Sequence, residues 1–172
     1  MALLVGVILA AIGIGSYLFH THATVWAVTA DVIPIILFSL TYIFAANRDY
    51  WGFSLLPALG LTALYFPYAA LVSALASELP FFRISGEYWS LPLLIGAYAW
   101  LLRTRAPGTA RGLALGAGIL VVSLTFRSLD EILCAAFPLG THFLWHILNG
   151  IMLGWMIEVY RRCRLGKPGY AR

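Results

Sequence analysis

Apolar residues fill six stretches of this chain, and polar residues collect in the short segments between them. A stretch of about 20 apolar residues, folded as an α-helix, is long enough to cross the roughly 30 Å hydrocarbon core of a bilayer. The pattern therefore predicts an all-α membrane protein, a polytopic bundle of about six transmembrane helices. The predicted spans are residues 1–20, 24–46, 53–75, 88–102, 112–135 and 141–160.

The composition agrees with this prediction. Of the 172 residues, 62% are hydrophobic and only 10% are charged, and the mean hydropathy is +0.88. A soluble domain carries about 25% charged residues, and a chain this short has no core large enough to hide six apolar helices. The first stretch lacks a basic segment at its start, so we expect it to be a span and not a cleaved signal peptide. We expect one bundle over residues 1–160 and a basic tail over residues 161–172.

Basic residues are distributed unequally between the two sides of the predicted bundle. With six spans, both termini lie on one side, and that side holds nine Lys and Arg residues while the other side holds only Arg83. Loops rich in Lys and Arg face the cytoplasm. We therefore expect both termini to be cytoplasmic. We attribute the net charge of +4 to this orientation and not to nucleic-acid binding.

Three histidines are predicted to lie at one membrane surface. His142 and His146 are four residues apart at the start of the last span, so they share one face of a helix. His20 ends the first span, and the even number of spans in between places it on the same, non-cytoplasmic side. Three histidines that leave a fourth position for water are a typical ligand set of catalytic zinc. Interfacial or packing histidines are the alternative, and His22 could replace His20 as a ligand.

Two further polar residues share this depth. Asp31 lies roughly 10 Å inside the second span, and an ionisable residue inside a span is costly and often functional. It could take a proton from a zinc-activated water or orient a histidine; alternatively it pairs with Arg127. Ser16 lies one helical turn before His20. Ser16 could donate a hydrogen bond to a substrate carbonyl, or it is a small residue at a helix contact.

Arg127 and Asp130 form a second polar cluster, in the fifth predicted span. They are three residues apart and therefore neighbours on one helix face. Charged residues inside a span usually pair with one another in the bundle interior. We expect Arg127 and Asp130 to pair and to contribute to structure more than to catalysis.

Four sequence motifs, taken in order, resemble those of the alkaline ceramidase family. That family belongs to a wider group of seven-span membrane hydrolases that includes the adiponectin receptors. The wider group shares Ser-x-x-x-His, a downstream Asp and His-x-x-x-His, and the resemblance covers nearly the whole chain. The motifs here are Gly-Ser-Tyr-Leu-Phe-His at 15–20, Asp-Val-Ile-Pro at 31–34, Thr-Phe-Arg-Ser-Leu-Asp at 125–130 and Gly-Thr-His-Phe-Leu-Trp-His at 140–146.

The resemblance implies an intramembrane zinc amidase. Its reaction would be hydrolysis of the amide bond of a ceramide-like N-acyl lipid from the bilayer, with release of a fatty acid. By the resemblance, the zinc ligands are His20, His142 and His146. Asp31 would be the base that acts on water, and Ser16 would assist at the site.

The chain departs from that family at its beginning. Alkaline ceramidases have an additional first span, preceded by an acidic segment that binds calcium near the zinc. Residues 1–20 resemble the second span of the family and follow no acidic cluster. We therefore expect the seven-span bundle without its first span, and we expect zinc but do not carry calcium over.

Two other functions fit the same residues. A b-type haem protein would use two of the histidines as axial ligands, but it would leave Ser16 and Asp31 without a role. A non-enzymatic receptor or scaffold would keep the bundle and bind lipid without turnover.

Overall fold

The computed structural model describes residues 1–170, and its regular structure there is helical. Helices alternate with short connections, as the hydrophobic pattern predicts. The helices are α1 Ala2–His22, α2 Val25–Asp49, α3 Leu55–Ala63, α4 Tyr65–Ser77, α5 Pro80–Arg83, α6 Ser90–Leu102, α7 Pro107–Leu133 and α8 His142–Arg164, with a 3-10 turn, Gly86–Tyr88, before α6.

Among the described residues, five helical stretches are long and apolar enough to cross a membrane. Many of their apolar side chains point outward: Leu3 is 83% exposed, Val25 86% and Leu56 79%. Such an apolar exterior suits lipid acyl chains and not water. The chain thus has the composition and surface of a polytopic helical membrane protein. The five stretches are Ala2–His22, Val25–Asp49, Leu55–Ser77, Pro107–Leu133 and His142–Arg164.

The fourth predicted span is shorter than the others. Its helix, α6, holds 13 residues, which is about 20 Å at 1.5 Å per residue. A helix of that length falls short of the roughly 30 Å hydrocarbon core. The structure therefore supports five of the six predicted spans by length, and the sixth stays a prediction.

The fifth span begins earlier than predicted, and the third span is not one continuous helix. The fifth span was expected to begin at residue 112, whereas α7 begins at Pro107. Proline suits the first helical position because its missing N–H would have no partner there and its φ is already helical. The third span is interrupted at Leu64. Pro67 lacks the N–H that would bond to the carbonyl four residues earlier, so a helical hydrogen bond is missing at the interruption.

The last helix extends beyond its predicted end at residue 160. It continues to Arg164, into the segment that the sequence predicts as a tail. Glu158 accepts hydrogen bonds from Arg161 at 2.7 Å and from Arg162 at 2.7 Å. Oppositely charged side chains three or four residues apart stabilise a helix. The positive charges near the C-terminus also interact favourably with the helix dipole.

The chain divides into two compact units, Met1–Ala63 and Leu64–Arg172. In the first unit, α1 approaches the backbone of α2 closely at Gly15. A β-carbon at Gly15 would overlap the carbonyl oxygen of Ala30, so only glycine permits this approach. Pro34, inside α2, cannot donate the usual helical hydrogen bond to that same carbonyl.

In the second unit, α7 and α8 form an antiparallel pair. The Ser123 hydroxyl donates to the carbonyl of Trp145 at 2.9 Å near one end, and the Trp155 indole donates to the carbonyl of Gly112 at 2.8 Å near the other. A β-carbon at Gly112 would lie 2.7 Å from the side chain of Val159. A small residue thus brings the two helices into close contact, as is common between transmembrane helices.

Candidate metal centre

The first two turns of α8 carry a pair of histidines. The helix begins at His142, with Thr141 as its N-cap residue, and the four-residue spacing puts His146 on the same face. The two imidazole centroids are 4.8 Å apart, and the rings are inclined at 72°. The indole of Trp145 lies 5.2 Å from the ring of His142 and 4.4 Å from that of His146. The imidazoles therefore lie side by side, as the spacing predicts.

A carboxylate from α7 caps the start of α8. Oδ1 of Asp130 accepts hydrogen bonds from the backbone N–H of Thr141 at 2.5 Å and of His142 at 2.9 Å. Oδ2 of Asp130 lies 4.0 Å from Nδ1 of His142. The first N–H groups of a helix have no partner within the helix, and the helix dipole favours a negative charge beside them. Asp130 therefore fixes the backbone of His142 and faces its imidazole.

Gly140 makes room for this cap. Its φ is +62°, a left-handed conformation that glycine adopts without strain. A β-carbon at Gly140 would overlap Oδ1 of Asp130 and lie 3.4 Å from Sγ of Cys134. A larger residue at this position would displace the carboxylate that holds α8.

Two further hydrogen bonds hold this end of α8 against α7. The Thr141 hydroxyl donates to the carbonyl of Phe126 at 2.6 Å. The bond from Ser123 to the carbonyl of Trp145 lies in the next turn, and both residues are buried. The histidine pair is thus held in a fixed place relative to α7.

Arg127 pairs with Glu87 and not with Asp130, so the predicted pairing is wrong. The guanidinium of Arg127 lies 3.6 Å from the Glu87 carboxylate. It also donates to the carbonyl of Ile84 and to Oγ of Ser85. The three-residue spacing does put Arg127 and Asp130 on one helix face, but the N–H groups at the start of α8 take the Asp130 carboxylate.

Arg127 also lies beside two aromatic rings. Its guanidinium carbon is 5.0 Å from the centroid of Tyr88 and 5.4 Å from that of Trp145. Trp145 therefore connects Arg127 to the histidine pair. The sequence prediction assigned no role to Trp145, although its position three residues after His142 places it on the same helix face.

In the first unit, α1 and α2 bring together three of the predicted site residues. Ser16 lies one turn before His20 near the end of α1. Gly15 approaches the backbone of Ala30 and Asp31. Asp31 is half-buried, and His20 is exposed.

His142 and His146 are the two predicted ligands that the second unit places side by side, and His20 lies in the first unit. Tetrahedral zinc binds imidazole nitrogens at about 2.0–2.1 Å, so two ligand nitrogens lie about 3.3 Å apart. Imidazole nitrogens are common zinc ligands, so the pair on α8 suits this metal ion. In the first unit, the ring of His22 lies 5.5 Å from that of Trp26.

No protein-family model, curated protein or solved structure matches this chain. The resemblance to the alkaline ceramidases therefore stays a prediction from the four motifs. The chemistry open to the chain follows from its own side chains: three imidazoles that suit zinc, one carboxylate and one hydroxyl.

Proposed function

We propose that this chain is a zinc-dependent intramembrane hydrolase that cleaves the amide bond of a ceramide-like N-acyl lipid. The observation that carries the proposal is the histidine pair of α8, His142 and His146, whose imidazole centroids lie 4.8 Å apart at a helix start held by Asp130. Three protein ligands and one open position for water are the arrangement of catalytic zinc. The four ordered motifs support an amidase as the class of reaction and the alkaline ceramidases as the family.

Each polar residue has a role in this proposal. His20, His142 and His146 would hold the zinc. The metal ion, when bound, supplies a nucleophile at neutral pH by lowering the pKa of water, and it polarises a carbonyl group. Asp31 takes a proton from the attacking water and returns one to the leaving amine. Ser16 donates a hydrogen bond to the substrate carbonyl oxygen as negative charge develops there.

The apolar exterior of the helices supports a lipid as the substrate. It keeps the chain in the bilayer, where an N-acyl lipid would be supplied. The amide of such a lipid lies at the boundary between acyl chains and headgroup. His20 near the end of α1 and His142 at the start of α8 lie at the ends of apolar helices, where that boundary is expected.

We further propose six membrane crossings. The chain from Ser85 to Leu102 runs antiparallel along α7, because Oγ of Ser85 hydrogen-bonds Oγ of Ser128 at 3.1 Å and the connection to Pro107 closes the other end. From Pro107 to Ser128, α7 is about 31 Å long at 1.5 Å per residue. That length equals the hydrocarbon core. The 3-10 turn and α6 together thus cover the thickness that α6 alone does not.

Six crossings agree with the rest of the proposal. An even number of crossings then separates His20 from His142, as a shared site requires. Both termini lie on the side that carries nine Lys and Arg residues, and this bias supports a cytoplasmic location for them.

Metal analysis and lipid hydrolysis by the purified chain test the proposed function. We expect about one zinc per chain. We also expect mass spectrometry to detect fatty acid released from N-acyl lipids, with release stopped by a chelator and restored by zinc. His142→Ala should lose both zinc and hydrolysis. Hydrolysis that survives His142→Ala, or less than about half a zinc per chain, would contradict the proposal.

The same preparation separates the two alternative functions. A haem protein would show a Soret absorption band. A receptor or scaffold would bind lipids of the panel and release no fatty acid from any of them.

A further inference from the structure

A groove of about 560 Å³ lies between α6 and α7 on the surface of the second unit. It exists because the residues along it are small: Gly96 on α6, and Ala114 and Ala117 on α7. From Pro107 to Ala117 it follows α7 for about 15 Å at 1.5 Å per residue. That is half of the roughly 30 Å hydrocarbon core. The groove therefore has the depth of one leaflet.

The charges of the groove lie at one end. Arg103 directly follows the last residue of α6, and Arg111 lies in the first turns of α7. Both guanidinium groups are exposed, and the other residues that line the groove carry no charge. The groove is thus apolar along its length and positive at its rim.

Local contacts hold both guanidinium groups at this rim. Arg103 donates to the carbonyl of Trp100 at 2.6 Å and lies over its ring at 4.1 Å. Arg111 donates through Nε to the carbonyl of Pro107 at 3.3 Å. A guanidinium has five N–H donors, and among residues 1–170 neither arginine forms an ion pair. Each guanidinium group is therefore held at the rim of the groove and still has N–H donors that can bind an anion.

The C-terminal segment increases the positive charge near this rim. The Thr109 hydroxyl donates to the carbonyl of Tyr170 at 2.9 Å, so this segment lies against the start of α7. It carries Lys167. Glu158, the acidic residue of the last turns of α8, is already bonded to the two arginines that follow it. An anion approaching this end of the unit thus meets a positive field.

We propose that the groove binds an anionic membrane lipid, with an acyl chain along Gly96 and Ala114 and a phosphate between Arg103 and Arg111. The small apolar residues match the acyl chain, and the two cations match the charge of the headgroup. Basic pockets between transmembrane helices on the cytoplasmic side are a known way to hold such headgroups. This site does not depend on the proposed hydrolase.

Native mass spectrometry of the purified full chain tests the site. Phosphatidylglycerol and phosphatidylcholine with identical acyl chains would be titrated separately. We expect the anionic lipid to bind at least about tenfold more tightly. Arg103→Gln together with Arg111→Gln should abolish this preference. Arg105→Gln is the matched control, because Arg105 lies in the same connection and does not line the groove, and it should keep the preference.

A variant of the groove itself separates its shape from its charge. Ala114→Leu fills the groove and keeps both arginines, so we expect it to weaken binding of either lipid. Circular dichroism would show that each variant keeps its helix content. Equal affinity of the unchanged chain for the two lipids, or a preference that survives the double substitution, would overturn the proposal.

A second measurement uses the unchanged chain alone. A photo-crosslinking phosphatidylglycerol should label peptides that cover residues 96–117. Labelling confined to other helices would overturn the proposal, and it would do so even if every variant folded poorly.

Discussion

Asp31 and Asp130 are both carboxylates inside long apolar helices, and their surroundings differ. Asp130 accepts two backbone hydrogen bonds at the start of α8, so its charge serves to hold that helix. Asp31 lies where Gly15 of α1 approaches the backbone of α2, and no hydrogen bond to its carboxylate is found within residues 1–170. A carboxylate occupied by helix N–H groups is a poor base, whereas one with open lone pairs can accept a proton. In the proposed site, Asp31 would act as the base, and Asp130 would hold the histidines of α8 in place.

The two helix pairs that carry these acids differ in the same way. In an 18-residue apolar stretch of α7, 44% of the residues are buried, compared with 17% in the corresponding stretch of α1. Hydrogen bonds donated by the Ser123 and Thr141 hydroxyls, and one that Asp130 accepts, join α7 to α8. Gly15 brings α1 against α2 by close backbone approach. The α7–α8 pair therefore holds its residues in place by more hydrogen bonds and more burial than the α1–α2 pair does.

The largest expected effect is that of Asp31→Asn. The substitution keeps the size of the side chain and removes its capacity to take a proton. We expect kcat for lipid-amide hydrolysis to fall by about 10²–10⁴-fold, with zinc content unchanged. Steady-state kinetics and metal analysis on the same sample measure both quantities. An Asp31→Asn variant with full activity would remove the chemical role of this residue.

Asp130→Asn should give the opposite pattern. The amide oxygen can still accept a hydrogen bond from α8, but the negative charge that faces His142 is lost. We expect zinc affinity to fall by about 10–100-fold and kcat to recover at saturating zinc. Competition with a chromogenic chelator measures the affinity.

Glu131→Gln is the matched control for that experiment. It removes the adjacent carboxylate, which is exposed, and it should leave zinc affinity unchanged. If Asp130→Asn and Glu131→Gln lower the zinc affinity equally, the effect comes from the loss of any nearby negative charge and not from the contact of Asp130 with the start of α8.

The sequence predicts the helices well because each span is a local pattern. The second span was expected at residues 24–46, and α2 covers Val25–Asp49. The spacing of His142 and His146 likewise needs only the period of a helix.

The cap by Asp130 is different, because it depends on a turn at Gly140 that brings the start of α8 back over α7. The unpaired N–H groups at a predicted helix start do indicate that some acceptor is needed, but they do not identify it.

The wrong pairing of Arg127 has the same origin. Helical spacing shows which residues share a face, and it does not show which neighbour from another element comes closer. Glu87 lies in the 3-10 turn before α6, a segment that has no hydrophobic period to place it. Its contact with Arg127 therefore could not be predicted from pattern alone.

Substitution at Gly15 tests the close approach of α1 to α2. In Gly15→Ala the new β-carbon would overlap the carbonyl oxygen of Ala30, so we expect a loss of about 1–3 kcal/mol in unfolding free energy. We also expect lower hydrolysis, since Ser16 and His20 would shift relative to Asp31. Thermal unfolding in detergent and kinetics measure the two effects.

Gly13→Ala is the control on the same helix. A β-carbon there meets no atom within 4 Å, and alanine favours a helix over glycine by about 1 kcal/mol. We therefore expect Gly13→Ala to be neutral or stabilising and fully active. A loss of stability in Gly13→Ala equal to that in Gly15→Ala would mean that the contact with Ala30 is not what the substitution disturbs.

The smallest expected effect is that of Glu87→Gln. This substitution tests whether the ion pair with Arg127 contributes to the stability of the second unit. The side chain of Glu87 is 61% exposed, and exposed pairs contribute less than about 1 kcal/mol. Ser123→Ala is the comparison, because it removes a buried hydrogen bond to Trp145 and should cost about 0.5–1.5 kcal/mol. Thermal unfolding of the two variants ranks them. If Glu87→Gln costs more than Ser123→Ala, then the 3.6 Å ion pair, and not the buried hydrogen bond, dominates the stability of this part of the second unit.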